Sequence, residues 1–177
     1  MRFAALWSFD MYLLKHIKLD KNSILIGRPK EEEWTSLADQ GYRMVLDILP
    51  PELRDKGLAK RVKAAGMKYT PIPVESCDLA SCQIDEPWVV KFSRFIRGSD
   101  QYPFILYTDD ETLGLSLVVL ANLFPTGASA GDVIRAVEKL DRPLKGRPDI
   151  KRFLTEYYRH YRRPQVRRSA VLPPKTS

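Results

Sequence analysis

Three consecutive acidic residues, Asp109, Asp110 and Glu111, lie between Thr108 and Thr112. Of all stretches of the chain, this one has the residue types and spacing best suited to binding or catalysis. Carboxylates at this spacing can cap a helix, bind a cation or bind a basic segment of a partner. They can also take part in hydrolysis, alone or around a divalent metal ion. The helix cap is the simplest of these interpretations, and the sequence leaves the others open.

The acidic stretch joins two apolar segments. Residues 104–106 are bulky and apolar, which predicts a buried strand, and residues 113–124 are apolar on all sides, which predicts a buried helix. Loops between a strand and a helix often bind anions in α/β proteins, so a negative loop here is unexpected. Because acids are stabilised by the positive end of a helix dipole, we predict that Asp109 or Asp110 caps this helix.

The rest of the chain alternates between strand and helix patterns, which predicts a single-domain α/β fold with a mainly parallel central sheet flanked by helices. Ser129, followed three residues later by Asp132, predicts the start of another helix. The predicted strands are 24–27, 43–49, 68–74 and 102–107, and the predicted helices are 30–40, 52–65, 86–97, 113–124, 129–140 and 149–161.

Charge and proline content divide the chain into three parts. Residues 1–23 form an N-terminal extension, whose charges interrupt any membrane span and favour a docked helix or strand. We expect residues 24–163 to form the domain and residues 164–177 to form a basic, mobile tail. The net charge of +7 is concentrated near the C-terminus, which predicts binding to nucleic acid or an anionic surface, or else a solvated closing helix. The basic residues concerned are Arg159, Arg162, Arg163, Arg167 and Arg168.

The two cysteines, Cys77 and Cys82, indicate a reducing compartment, and we expect a cytoplasmic location. Neither lies beside a feature that would lower a thiol pKa, so ordinary thiols are expected. The sequence predicts no metal site, no cofactor and no transmembrane segment.

The order of these segments resembles the dual-specificity branch of the protein tyrosine phosphatase family over residues 24–163. The segment ILIGRPKEEEWTSLADQGYRMVLDI is similar to the first strand, first helix and second strand of that family. KAAGMKYTPIPVESCD is similar to the strand before its general-acid loop and places Asp78 near the acid. The segment from Gly127 to Tyr158 is similar to its two closing helices.

The resemblance also implies a catalytic motif, and this sequence departs from it. The family has a histidine, a cysteine, five loop residues and an arginine before the buried helix; here Tyr107 and Thr108 stand at the first two positions. Glu111 stands at a usual glycine, and Gly114 stands at the arginine. A threonine does not ionise near neutral pH, and glycine cannot clamp phosphate oxygens.

Together with the lack of lysine or arginine between Arg97 and Arg135, these departures imply a catalytically inactive, phosphatase-like protein that binds a protein partner as a scaffold, competitor or regulatory module. No hydrolysis of p-nitrophenyl phosphate or phosphotyrosine peptides is then expected. Two alternatives stay open: a hydrolase that uses the acids 109–111, and a binder of nucleic acid or anionic surfaces. The sequence TDDET also resembles the Asp-x-Asp-x-Thr motif of haloacid-dehalogenase-like phosphatases, but Thr108 stands at the nucleophile.

Overall fold

The computed structural model describes residues 15–19, 22–74, 86–98, 102–140 and 144–161. This part of the chain contains five strands and six α-helices. The strands are β1 (Lys15–Leu19), β2 (Asn22–Gly27), β3 (Met44–Asp47), β4 (Lys68–Pro71) and β5 (Phe104–Tyr107). The helices are α1 (Glu33–Asp39), α2 (Leu58–Ala64), α3 (Glu86–Arg97), α4 (Glu111–Leu123), α5 (Ala130–Leu140) and α6 (Pro148–Tyr161).

The strands form one sheet in the order β1-β2-β5-β3-β4, with β5 in the middle. Strands β2, β5, β3 and β4 are parallel to one another, and only β1 is antiparallel to its neighbour. The predicted α/β fold with a mainly parallel sheet is therefore confirmed. Tyr107 is paired with Gly27 on one side and with Asp47 on the other, so the carboxyl ends of three strands coincide.

Side chains of β5 alternate between two apolar cores, one on each face of the sheet. Phe104 and Leu106 pack with α3, α4, α5 and α6, whereas Ile105 and Tyr107 pack with α1 and α2. Because both faces are covered, the strand shows an unbroken apolar run rather than an alternating one. The burial of α4 is as predicted: residues 114–121 are all buried.

Several elements begin or end at other residues than the sequence pattern indicates. The helix expected from residue 52 begins at Leu58, because a short 3₁₀ turn over Pro51–Leu53 precedes it. Asp55 then accepts a hydrogen bond from Gly57 N at 2.8 Å, which shapes the turn into α2. Arg54 then has an extended backbone, with a ψ of 134°, so the 3₁₀ turn does not continue into the regular helix. The short strand Lys15–Leu19, within the predicted extension, pairs with β2 at the edge of the sheet.

Parts of the predicted organisation lie outside the described residues. These are residues 1–14, the loop 75–85 and residues 162–177. Among the residues that are described, no helix has the length and apolar character needed to cross a membrane.

Candidate functional site

The acidic loop lies at the carboxyl edge of the central sheet. It is short: β5 ends at Tyr107, and α4 begins at Glu111. Thr108 is buried, and its hydroxyl accepts a hydrogen bond from Asp110 N at 3.2 Å. The strand therefore turns into the helix within three residues, and the loop closes on itself.

Asp110 is the N-cap of α4. Its side chain accepts a hydrogen bond from Leu113 N at 2.9 Å, with an extended backbone at the cap residue. This satisfies one of the amides that every helix leaves free at its start. The predicted capping role of the acidic loop is thus confirmed, and Asp110 is the residue that performs it.

Arg147 lies against the same carboxylate and reaches it from the connection between α5 and α6. Its Nη1 donates to Asp110 Oδ1 at 2.9 Å, and its Nη2 donates to Asp110 Oδ2 at 2.7 Å. Asp149 holds the other side of the guanidinium, at 2.9 Å from Nη2 and 3.1 Å from Nε. The hydrogen bond to Asp110, and to a smaller extent the one to Asp149, raises the pKa of Arg147. The hydrogen bond from Arg147 lowers the pKa of Asp149. A planar, two-pronged arginine clamp therefore lies at the start of α4.

Arg28 is a second arginine at this loop and follows β2. Its Nη1 donates to Asp109 Oδ1 at 2.5 Å, and its Nε donates to the Tyr107 hydroxyl at 3.1 Å. Its guanidinium carbon also lies 5.3 Å from the centre of the Tyr107 ring. Burial alone would lower the pKa of Arg28, but the hydrogen bonds to Tyr107 and Asp109 outweigh it and raise this pKa.

A buried carboxylate continues the site along the sheet edge. Asp47, at the end of β3, is fully buried and accepts hydrogen bonds from Leu49 N at 2.9 Å and from the Tyr69 hydroxyl at 2.5 Å. Arg54 Nε lies 3.6 Å from Asp47 Oδ2. Burial, followed by the hydrogen bond to Asp47, raises the pKa of Tyr69, so this phenol stays protonated and keeps donating.

Gly114, which the resemblance aligns with an arginine, faces β2, β5 and the buried Thr108. A Cβ at this position would lie 3.1 Å from Ile26 Cγ2, 3.1 Å from Thr108 Cγ2 and 3.3 Å from Leu106 Cδ2. Helix α4 thus approaches β2 and β5 closely because residue 114 has no side chain. A long side chain could not enter this contact without moving the helix.

The other residues singled out from the sequence have varied positions. Glu111 is the first residue of α4, and the Thr112 carbonyl accepts a hydrogen bond from the Ser116 hydroxyl at 2.7 Å. Arg159 is exposed and pairs with Glu156 at 2.9 Å. The remaining candidates, Asp78, Arg162, Arg163, Arg167 and Arg168, lie outside the described residues, as do both cysteines.

Sequence reasoning missed the two arginines that meet the acidic loop. It counted only the cations that lie near the loop in the sequence. Arg28 and Arg147 are 81 and 37 residues from their partners in the chain, but they contact the loop in the folded protein. The expectation that an anion would find no local cation is therefore wrong. One shared signal could have found them. Both occur in the tripeptide Gly-Arg-Pro, at residues 27–29 and 146–148.

Comparison with known proteins gives a clear result for the fold. No family model and no curated protein matches the sequence. A proposed phosphatase of the DUF442 class from Shewanella putrefaciens CN-32 is similar in structure, with a TM-score of 0.59, 19% identity and coverage of 80% of this chain and 87% of that chain. The core catalytic domain of the PP-IP phosphatase SIW14 from S. cerevisiae has a TM-score of 0.57, 14% identity and coverage of 76% and 80%. Tk-PTP in its active form has a TM-score of 0.60, 12% identity and coverage of 82% and 97%.

The chain therefore has the tyrosine-phosphatase-like α/β fold that these proteins share. The expectation of a catalytically inactive protein that acts only by binding is wrong on this comparison, because the structures that share the fold are phosphatases and nothing in the described residues shows inactivity. That expectation judged the loop by its own sequence and did not include the arginines that other segments supply.

Proposed function

We propose that this protein is a phosphatase that binds the phosphoryl group of a phosphate ester at the start of α4, with Arg147 as its main anion-binding residue. The observation that carries this proposal is the two-pronged contact of Arg147 with Asp110. Carboxylate and phosphate both present a pair of oxygens that match a guanidinium fork. A site that holds a carboxylate in this way has donors suitably placed for two phosphate oxygens.

Binding would proceed by exchange of one anion for another. The phosphate would take the place of the Asp110 carboxylate between Arg147 and the amide of Leu113, and Arg28 would add a second cation. The side chains of Arg147 and Asp110 are 30% and 35% exposed, so the displaced carboxylate can be solvated. Exposed ion pairs contribute only about 0–1 kcal/mol, which keeps the cost of the exchange small.

The reaction expected of such a site is hydrolysis. Water adds to phosphorus and gives up a proton, the bond from phosphorus to the ester oxygen breaks, and the leaving alkoxide oxygen takes up a proton to give the alcohol. Two guanidinium groups would stabilise the negative charge on the phosphoryl oxygens during this step, which is the largest contribution in many phosphoryl-transfer enzymes.

The test compares the full chain with two arginine variants. Phosphate release is measured across a panel of phosphate monoesters, pyrophosphates and phosphopeptides, and the affinity for inorganic phosphate is measured by calorimetry. We expect turnover by the wild type and a loss of about 100-fold in kcat/KM in Arg147→Gln, with weaker phosphate binding. Arg152→Gln removes the same charge from an exposed position of α6 and should change neither value by more than about twofold.

Two outcomes would contradict the proposal. One is that no member of the panel is hydrolysed by the wild type. The other is that Arg147→Gln, shown to be folded by its unfolding temperature, retains wild-type turnover and phosphate affinity.

The finer expectations from the sequence stay predictions within this proposal. They are membership of the dual-specificity branch with a catalytic motif that departs from the family pattern, a cytoplasmic location, a general-acid role for Asp78 and a protein partner. Binding of nucleic acid or an anionic surface through the C-terminal arginines is supported by the positive charge of that segment. After Glu156 the sequence contains arginine and lysine but no acidic residue.

A further inference from the structure

We infer that the site has a second anion subsite, formed by Arg54 and Arg61 beside α2, and that its ligand carries at least two phosphate groups. This inference rests on the proposed function, because Arg147 and Arg28 would bind the first phosphate. The second subsite lies on the same carboxyl edge, on the face of the sheet covered by α1 and α2.

Arg54 is held in place by its neighbours, but not all of its N–H groups have a hydrogen-bond partner. Its Nε donates to Leu49 O at 3.2 Å and lies 3.6 Å from the buried Asp47 carboxylate. Its Nη2 is buried and has no hydrogen-bond partner among the described residues. Buried donors of a guanidinium are nearly always paired in proteins, so this one fits a site built for an acceptor.

Arg61 shows the same combination. One end of its guanidinium forms an ion pair with Asp55, while its Nε is buried and unpartnered within the described part of the chain. Asp55 is fixed in turn by Gly57 N. Each of the two guanidinium groups thus has its orientation set by a carboxylate, and each keeps one buried N–H without a partner in the described part of the chain.

Arg28 connects the two subsites. It contacts Asp109 and Tyr107 on one side, and its field also helps to lower the pKa of Asp55, after the hydrogen bonds from Gly57 and Arg61. Tyr107 is paired in the sheet with Asp47, which holds Arg54. Since neighbouring strands are about 4.8 Å apart, the groups at the ends of β2, β5 and β3 lie within reach of one polyphosphorylated molecule.

The arrangement favours a ligand with several phosphates over a single phosphate ester. One phosphate needs only one or two guanidinium groups, and Arg147 and Arg28 supply them. Arg54 and Arg61 would add donors for a second phosphate, whereas an uncharged extension of the ligand would leave their N–H groups unpaired. The preference for a ligand with several phosphates should therefore depend on the positive charges of Arg54 and Arg61 and not on the net charge of the chain.

The experiment titrates the full chain with inorganic phosphate and with tripolyphosphate at about 0.15 M salt, where distant surface charges are screened. We expect tripolyphosphate to bind at least about tenfold more tightly than phosphate. Arg61→Gln and Arg54→Gln should each remove most of this advantage and leave phosphate affinity within about twofold. Lys63→Gln is the matched control, because it removes one positive charge from an exposed position of the same helix as Arg61 and should preserve the advantage.

The outcomes separate the two proposals. The second subsite alone would be overturned if phosphate binding depends on Arg147 but tripolyphosphate binds no more tightly than phosphate. It would also be overturned if Lys63→Gln weakens tripolyphosphate binding as much as the two arginine variants do. Phosphate binding that is absent, or that Arg147→Gln does not weaken, would overturn the proposed function. If Arg54→Gln fails to fold because Asp47 loses its cation, Arg61→Gln decides the question, since Asp55 is half-exposed.

Discussion

The carboxylate of Asp110 accepts hydrogen bonds from two sources that would also suit a phosphate. Leu113 N donates from the first turn of α4, and Arg147 donates from the connection between α5 and α6. The residue therefore stabilises the helix and competes with any anion for the same donors. These two effects can be separated by a substitution that keeps the cap and removes the charge.

Asp110→Asn is that substitution. Asparagine caps helices about as well as aspartate, so we expect the free energy of unfolding to change by less than about 1 kcal/mol. Phosphate affinity should rise by about tenfold, because a negative charge next to the bound anion is removed. Calorimetric titration with phosphate measures this. Asp39→Asn, a remote and exposed change of the same charge, serves as control, and weaker phosphate binding in Asp110→Asn would contradict the expected competition.

Gly114 gives a second prediction at the level of single residues. Alanine gains about 1 kcal/mol of helix propensity over glycine, but the new methyl group would press on Ile26, Leu106 and Thr108. Overpacking of this kind costs about 1–3 kcal/mol, so we expect Gly114→Ala to lower the free energy of unfolding by about 1 kcal/mol. Gly131→Ala in α5 is the control, since its Cβ would make only ordinary contacts, and it should stabilise. Urea denaturation of both variants checks the difference in sign.

At the scale of one element, α5 begins with a reciprocal cap, as the sequence predicts. The Asp132 carboxylate accepts hydrogen bonds from Ser129 Oγ at 2.6 Å and from Ser129 N at 2.7 Å, and Asp132 N donates to Ser129 Oγ at 3.2 Å. These hydrogen bonds, followed by the contact with Arg135, lower the pKa of Asp132 to about 2. The helix start is therefore linked to the protonation of one side chain.

This link predicts a pH dependence. Because the pKa in the folded state is lower than the value of about 3.9 in unfolded chains, the ionised carboxylate stabilises the fold above about pH 4. Asp132→Ala should lower the unfolding temperature at pH 7, and the difference from the wild type should narrow as the pH falls from about 4 towards about 2. Melting curves across this range measure it. A difference that stays constant down to the lowest pH would show that ionisation of Asp132 contributes nothing.

At the scale of the whole molecule, the central strand β5 ties the two cores together. Leu106 and Ile105 are adjacent in sequence and fully buried, but they pack on opposite faces of the sheet. Loss of packing on either face should weaken the same sheet and therefore the same unfolding transition.

We accordingly expect Ile105→Ala and Leu106→Ala to reduce the free energy of unfolding by about 2–5 kcal/mol each. Both should unfold in one transition with the urea dependence of the wild type. Leu53→Ala, at a leucine that is 46% exposed, should change stability by less than about 0.5 kcal/mol. Two separate transitions in either core variant would show that the two faces unfold independently.

The amino-acid sequence by itself determined the order of the elements from β2 to α6, the buried α4, a cap of α4 by Asp109 or Asp110 and the cap of α5 by Ser129 and Asp132. These features depend on apolar spacing and on hydrogen bonds between residues within one helical turn, so a short window contains all of the information. Only the tertiary structure decided that Arg28 and Arg147 meet at the acidic loop, and that residue 114 must be small. Such contacts join segments far apart in the chain, and they depend on which strand ends lie side by side and on how closely a helix packs against the sheet. That is why the loop appears purely acidic in sequence, while the folded protein gives each of its two aspartates an arginine partner.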